Sequence, residues 1–179
     1  MQQTANEGGA GTGVGVGGAR VRTKRVTDCR DLRFESLDEL LADVDRLAAA
    51  ERAGTLKRCG NWTLGQALGH LATWAQFSYD GLPMPTPWFI KLILRVQKRR
   101  YLRGPLPRGV KIPKVRGGTL GTEPLSLDEG LSRYRAVTER LRRESPAEPS
   151  AVFGPLTHEE WIALHLRHAE LHLSFFNLS

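Results

Sequence analysis

A chain of 179 residues has room for one globular domain and not two, at roughly 100–200 residues per domain. Its 40% hydrophobic content and its 26 Lys+Arg against 19 Asp+Glu, a formal charge of +7, allow a real core and an acidic partner, although charge speaks to association and not to fold. Two cysteines, Cys29 and Cys59, exclude a disulfide framework, no CxxC pairs them, and a reducing cytoplasm is the expected compartment.

The chain opens on a Gly-rich stretch that reads as a disordered arm over residues 1–27, because seven glycines between Gly8 and Gly18 make ordering costly and nothing bulky repays it. Gly13, Gly15 and Gly18 satisfy GxGxxG, but a dinucleotide fingerprint must follow a strand and open a helix, and neither flanks it. No basic segment followed by an apolar one marks a secretory leader. From residue 28 onward the pattern is one helical domain. Ser36-Leu37-Asp38-Glu39 is a capping box opening a helix to about residue 52, and Thr63-Leu64-Gly65-Gln66 opens a second to about residue 80, with Gly81 and Pro83 as stop signals. Ser126-Leu127-Asp128-Glu129 opens a helix to about residue 143, and Thr157-His158-Glu159-Glu160 opens the last, to about residue 176. No strand is expected.

Between the second and third of these helices, Thr86 and Pro87 start a short extra helix over 88–102. Its apolar stretch contains Lys91 and Arg95 and falls far short of the ~20 residues of a membrane span. Residues 104–124, dense in Gly and Pro, then form a long irregular crossover, which gives an all-α four-helix bundle with a crossover. Residues 91–116 carry ten Lys or Arg and no acid. The expectation is a solvated, Arg-rich lid without specific nucleic-acid binding, since no recognition fold accompanies the run. The alternative is a non-enzymatic module that uses this tract on nucleic acid or a membrane surface, with a structural metal. A further possibility is that the strip draws an anionic substrate inward.

The main chemical signal is histidine. His158, His165, His168 and His172 fall in the last helix and His70 in the second. Successive helical residues turn by about 100°, so His165, His168 and His172 project from one face with Trp161 and Phe175, a face expected to be the core stripe. Buried imidazoles need partners. Hydrogen bonds could supply them, or one divalent metal could satisfy two, because HxxxH presents two rings one turn apart. His168-Ala169-Glu170-Leu171-His172 is not the metalloprotease helix: Ala169 stands where the base would be, and Glu170 points away. His70 can complete three ligands from a facing helix, with Gln66 one turn before it. His158, in the first turn beside Glu159 and Glu160, is expected to be solvated.

Gly60-Asn-Trp-Thr-Leu-Gly-Gln-Ala-Leu-Gly-His70 and His165-Leu-Arg-His168-Ala-Glu-Leu-His172 resemble the paired motifs of the DinB/YfiT-like superfamily. The stretches from Arg33 to Leu41 and from Phe153 to Thr157 resemble a bacterial branch of it with no established reaction. The resemblance implies a four-helix bundle with one divalent metal on His70, His168 and His172, zinc first, with nickel, iron or manganese as alternatives. It also implies a metal-dependent transferase or isomerase acting on a small molecule with a low-molecular-weight thiol such as mycothiol or bacillithiol. His165 or Gln66 would orient the reacting group or shuttle its proton. Leu173 follows His172 where many relatives carry a polar residue, so the resemblance does not extend to the identity of the thiol. A homodimer is compatible with this reading.

Overall fold

The computed structural model describes residues 21–178 apart from Lys114, and of Arg116 the backbone alone. Residues 1–20, with most of the expected arm and its GxGxxG match, lie outside the described residues. The last part of that arm is held in place: Thr23–Arg25 forms a 3-10 turn, the Val21 N–H donates to Asn61 Oδ1 at 2.8 Å, and Asn61 Nδ2 donates back to the Val21 carbonyl at 2.9 Å.

Six helices follow among the described residues: α1 (Leu37–Arg52), α2 (Leu64–Asp80), α3 (Trp88–Val96), α4 (Lys98–Arg103), α5 (Leu127–Arg143) and α6 (His158–Leu173). Thr63, Ser126 and Thr157 form reciprocal capping boxes with Gln66, Glu129 and Glu160. The fourth cap is only half a box. Ser36 Oγ accepts from the Glu39 N–H, while the Glu39 carboxylate reaches one residue further back, to the Glu35 N–H at 2.8 Å.

Helices α1, α2, α5 and α6 form the bundle, and Leu40, Val44, Leu68, Leu71, Val137 and Leu173 belong to its single buried cluster. The closest helix pair is α2 with α5, and two glycines permit it: a Cβ on Gly130 would stand 2.5 Å from the Gly65 carbonyl oxygen, and one on Gly65 2.6 Å from that of Leu125. Along the seam of α1 and α5, three ion pairs recur at seven-residue spacing, Asp38 with Arg142, Asp45 with Arg135, and Arg52 with Asp128. The numbers rise on one helix as they fall on the other, so the two helices run antiparallel in a fixed register.

Two ion-pair clusters are buried within this frame. Asp43, 1% exposed, accepts both guanidinium nitrogens of Arg30 at 2.9 and 2.7 Å and is also bonded by Arg46. On α6, Arg167, 2% exposed, pairs with Glu170 at 2.7 Å, and the two bond the carbonyl and the N–H of Phe34. Residues 30–34 are thereby fastened across α1 and α6.

Three features differ from the sequence expectation. The single helix over 88–102 is two, parted at Gln97 (φ −88°, ψ 3°); α3 buries none of its residues, whereas α4 buries Leu102 and packs on α6. A two-residue antiparallel pair, β1 (Lys57–Arg58) with β2 (Phe176–Asn177), ties the start of α2 to the chain's end; strands this short carry no alternation to read. Beside it the free thiols of Cys29 and Cys59 stand 3.7 Å apart, a proximity that their spacing of thirty residues hides. No helix among the described residues is long and apolar enough to cross a membrane.

Candidate metal centre

His70 rises from the middle of α2, and His168 and His172 lie one turn apart on α6. Their ligating nitrogens all fall within 4.8 Å of one another. The two α6 rings bring Nε2 to Nε2 at 3.1 Å. Two nitrogens each ~2.05 Å from a tetrahedral ion are separated by about 3.3 Å, so this pair is already spaced for a shared cation. The third ring is oriented from outside the bundle. His70 Nδ1 lies 2.8 Å from the Leu120 carbonyl oxygen, which can only accept, so Nδ1 carries the proton and Nε2 keeps its lone pair. The crossover can deliver that carbonyl because the next residue is Gly121 at φ +66°, where a Cβ would lie 2.8 Å from Thr73 Cβ.

Aromatic rings enclose the group. Trp62 stacks on His172 at 5.2 Å and 15° and lies 4.8 Å from His70, while Trp74 is 6.0 Å from both His70 and His168. Burial among these rings pushes His70 down to about 4. Burial, reinforced by the neighbouring imidazoles, holds His168 and His172 well below the usual histidine range. All three are neutral at pH 7, the form that ligates a metal. Among the described residues no fourth His, Cys, Asp or Glu joins them.

His165 shares this face of α6. It stacks on Trp161, and its Nε2 lies 3.0 Å from Ser78 Oγ on α2; burial lowers it to about 4. Ser78 escaped the sequence reading, although a serine two turns beyond His70 on a largely apolar helix was a signal available to it. Gln66 is not brought to the site: its Oε1 accepts from the Thr63 N–H at 3.1 Å within the capping box. His158 is not simply solvated, since its Nε2–H donates to the Leu141 carbonyl at 2.6 Å and ties α6 to α5. The histidine face of α6 is only in part the expected core stripe. Trp161 on it belongs to the core cluster and Phe175 packs against that cluster, while Leu166, Ala169 and Leu173 fill the core from another face and the histidines line a cavity.

That cavity measures about 1480 Å³, larger than the roughly 300–1,000 Å³ of an ordinary small-molecule site. Trp62, Trp74, Phe77, Leu164 and Phe175 give it apolar walls, and Ser78, His165, Lys24, Arg25 and Lys111 add polar and cationic groups. The N-terminal segment and the crossover close one side together, with Arg108 bonding the Val26 carbonyl at 3.2 Å and lying over the Phe175 ring.

An all-α bundle with three neutral histidines converging on an aromatic-walled cavity defines the class of protein. The chain belongs to the family described as Protein of unknown function (DUF1569), whose model matches residues 26–178. No curated protein and no solved structure matches the sequence.

Proposed function

We propose that the protein is a divalent-metal-dependent enzyme acting on a small molecule, of the DinB-like kind its motifs resemble, and that the metal is held by His70, His168 and His172. The observation that carries this reading is the convergence of three neutral imidazoles, two of them 3.1 Å apart, with no fourth protein ligand among the described residues. A structural zinc closes its shell with four protein ligands, while a catalytic one keeps a position open. The three rings line a cavity large enough for a substrate. When bound, zinc or a similar ion would lower the pKa of a coordinated thiol or water and act as a Lewis acid.

The chain's own residues supply the rest. His165, neutral at pH 7, can accept a proton at its ring nitrogen, and the Ser78 hydroxyl on Nε2 can relay it. Trp74, which lines the cavity, keeps a buried Nε1–H with no partner among the described residues, an unspent donor at the wall of the site. Lys24, Arg25 and Lys111 in the lining favour a substrate or thiol bearing a carboxylate. A transferase or isomerase using a low-molecular-weight thiol in the cytoplasm fits these features.

Cobalt substitution tests the reading. A small thiol added to the cobalt protein should change its visible spectrum, and His165→Ala should alter that response more than it alters metal affinity. A closed four-ligand spectrum indifferent to thiol would refute the enzyme and favour a structural metal.

A further inference from the structure

Helix α3 buries none of its nine residues. Trp88, Phe89, Leu92, Ile93 and Val96 are 76%, 49%, 58%, 49% and 81% exposed. At 100° per residue these five share one outward arc of about 140°. Ile90 and Leu94, on the other side, are partly covered, and Leu94 lines the cavity. The helix therefore does not turn its richest apolar face inward. It turns a weaker one inward and presents Trp, Phe, Leu, Ile and Val to the outside, each about half or more exposed. A contiguous exposed apolar face of this kind marks an interaction site.

Its surroundings identify the partner. Residues 91–116 carry ten Lys or Arg and no acid. Some of these are engaged: Lys98 pairs with Glu160 at 2.7 Å, and Arg108 bonds Val26. Arg95 on α3 and Arg99, Arg100 and Arg103 on α4 are exposed and form no ion pair among the described residues. Unspent cations beside an aromatic and aliphatic face are complementary to a surface with anionic headgroups over an acyl layer. Nucleic acid would match the charge and leave five large apolar side chains in water. A second copy of this chain would match the apolar face and set these arginines against each other. We infer that α3 is an interfacial anchor, which lies flat on an anionic membrane with Trp88, Phe89, Leu92, Ile93 and Val96 in the headgroup and acyl boundary and the arginines of α3 and α4 on the lipid charge. At nine residues it can lie on a bilayer but not span it. This inference is independent of the metal reading.

The test uses the full chain and vesicles of phosphatidylcholine with or without 30% phosphatidylserine. The protein should sediment with the anionic vesicles at least tenfold more strongly than with the neutral ones, and high salt should weaken that binding. Trp88→Ser with Leu92→Ser should abolish it, and Arg99→Glu with Arg100→Glu should reduce it at least tenfold. These side chains are exposed, so helical circular dichroism should be unchanged. As a check independent of the serine variants, tryptophan fluorescence should shift to the blue on binding in the parent protein and much less in Trp88→Phe. Absence of binding, or equal binding to both vesicle types, would overturn the inference. So would a parent dimer that Trp88→Ser with Leu92→Ser makes monomeric, or binding to duplex DNA that is tighter than to vesicles and unaffected by the serine variants.

Discussion

His70 is oriented by a backbone carbonyl rather than by a carboxylate, so the residue beside that carbonyl matters as much as the ring. Gly121 sits at φ +66°, with Thr73 Cβ 2.8 Å from where its own Cβ would be. Gly121→Val should displace the Leu120 carbonyl and weaken metal affinity about 10–100-fold with all three ligands intact, which competition against a chelator would measure. The same burial that keeps the rings neutral makes the metal-free protein acid-sensitive. His70 and His165 are lowered from 6.5 to about 4 in the folded chain. Above pH 6.5 both states are neutral and stability is complete. Between pH 6.5 and 4 the unfolded chain binds protons that the folded one refuses, so stability falls as pH falls. Thermal melts of the metal-free protein should drop steadily across that window, and added zinc should raise the midpoint at pH 5 nearly as much as at pH 7, because the folded chain keeps its three imidazoles neutral at both. Arg167 gives a third prediction. Arg167→Met leaves Glu170 and the Phe34 carbonyl buried without their partner, and should cost about 3–5 kcal/mol in urea denaturation.

The features that build the bundle differ in how legible they are in the sequence. The starts at Ser36, Thr63, Ser126 and Thr157 could be read because a cap is a pattern of four consecutive residues. The histidine set could be read for a similar reason: two of its three members are four residues apart on one helix. The break at Gln97 could not, because no Gly or Pro marks it; it separates an outward-facing α3 from an α4 that buries Leu102. The Leu120 carbonyl carries no side-chain signature, and the Cys29 and Cys59 contact and the β1–β2 pair depend on chain closure alone. Between α1 and α5, Asp38, Asp45 and Arg52 face Arg142, Arg135 and Asp128. Each pair is exposed and contributes little by itself, but three at heptad spacing specify one register. Asp45→Arg should lower the melting temperature by a few degrees at most, Asp45→Arg with Arg135→Asp should restore it, and 1 M salt should erase the difference.

In the whole molecule, the four-helix frame holds three histidines at the wall of a cavity that the N-terminal segment and the crossover complete. Arg30 on Asp43, and Arg167 with Glu170 on Phe34, fasten residues 30–34 to α1 and α6, and the short sheet anchors the chain just beyond His172. The three histidines are therefore set on helices of the bundle, while the cavity's outer wall is built from irregular chain. The central claim is that His70, His168 and His172 form one metal site that leaves a coordination position free. Calorimetric titration of zinc into tag-free, metal-stripped protein at pH 7 tests it most directly. The account predicts one tight site per chain in the parent and in His158→Ala, and loss of that site in both His70→Ala and His168→Ala; unchanged binding in either ligand variant would contradict it.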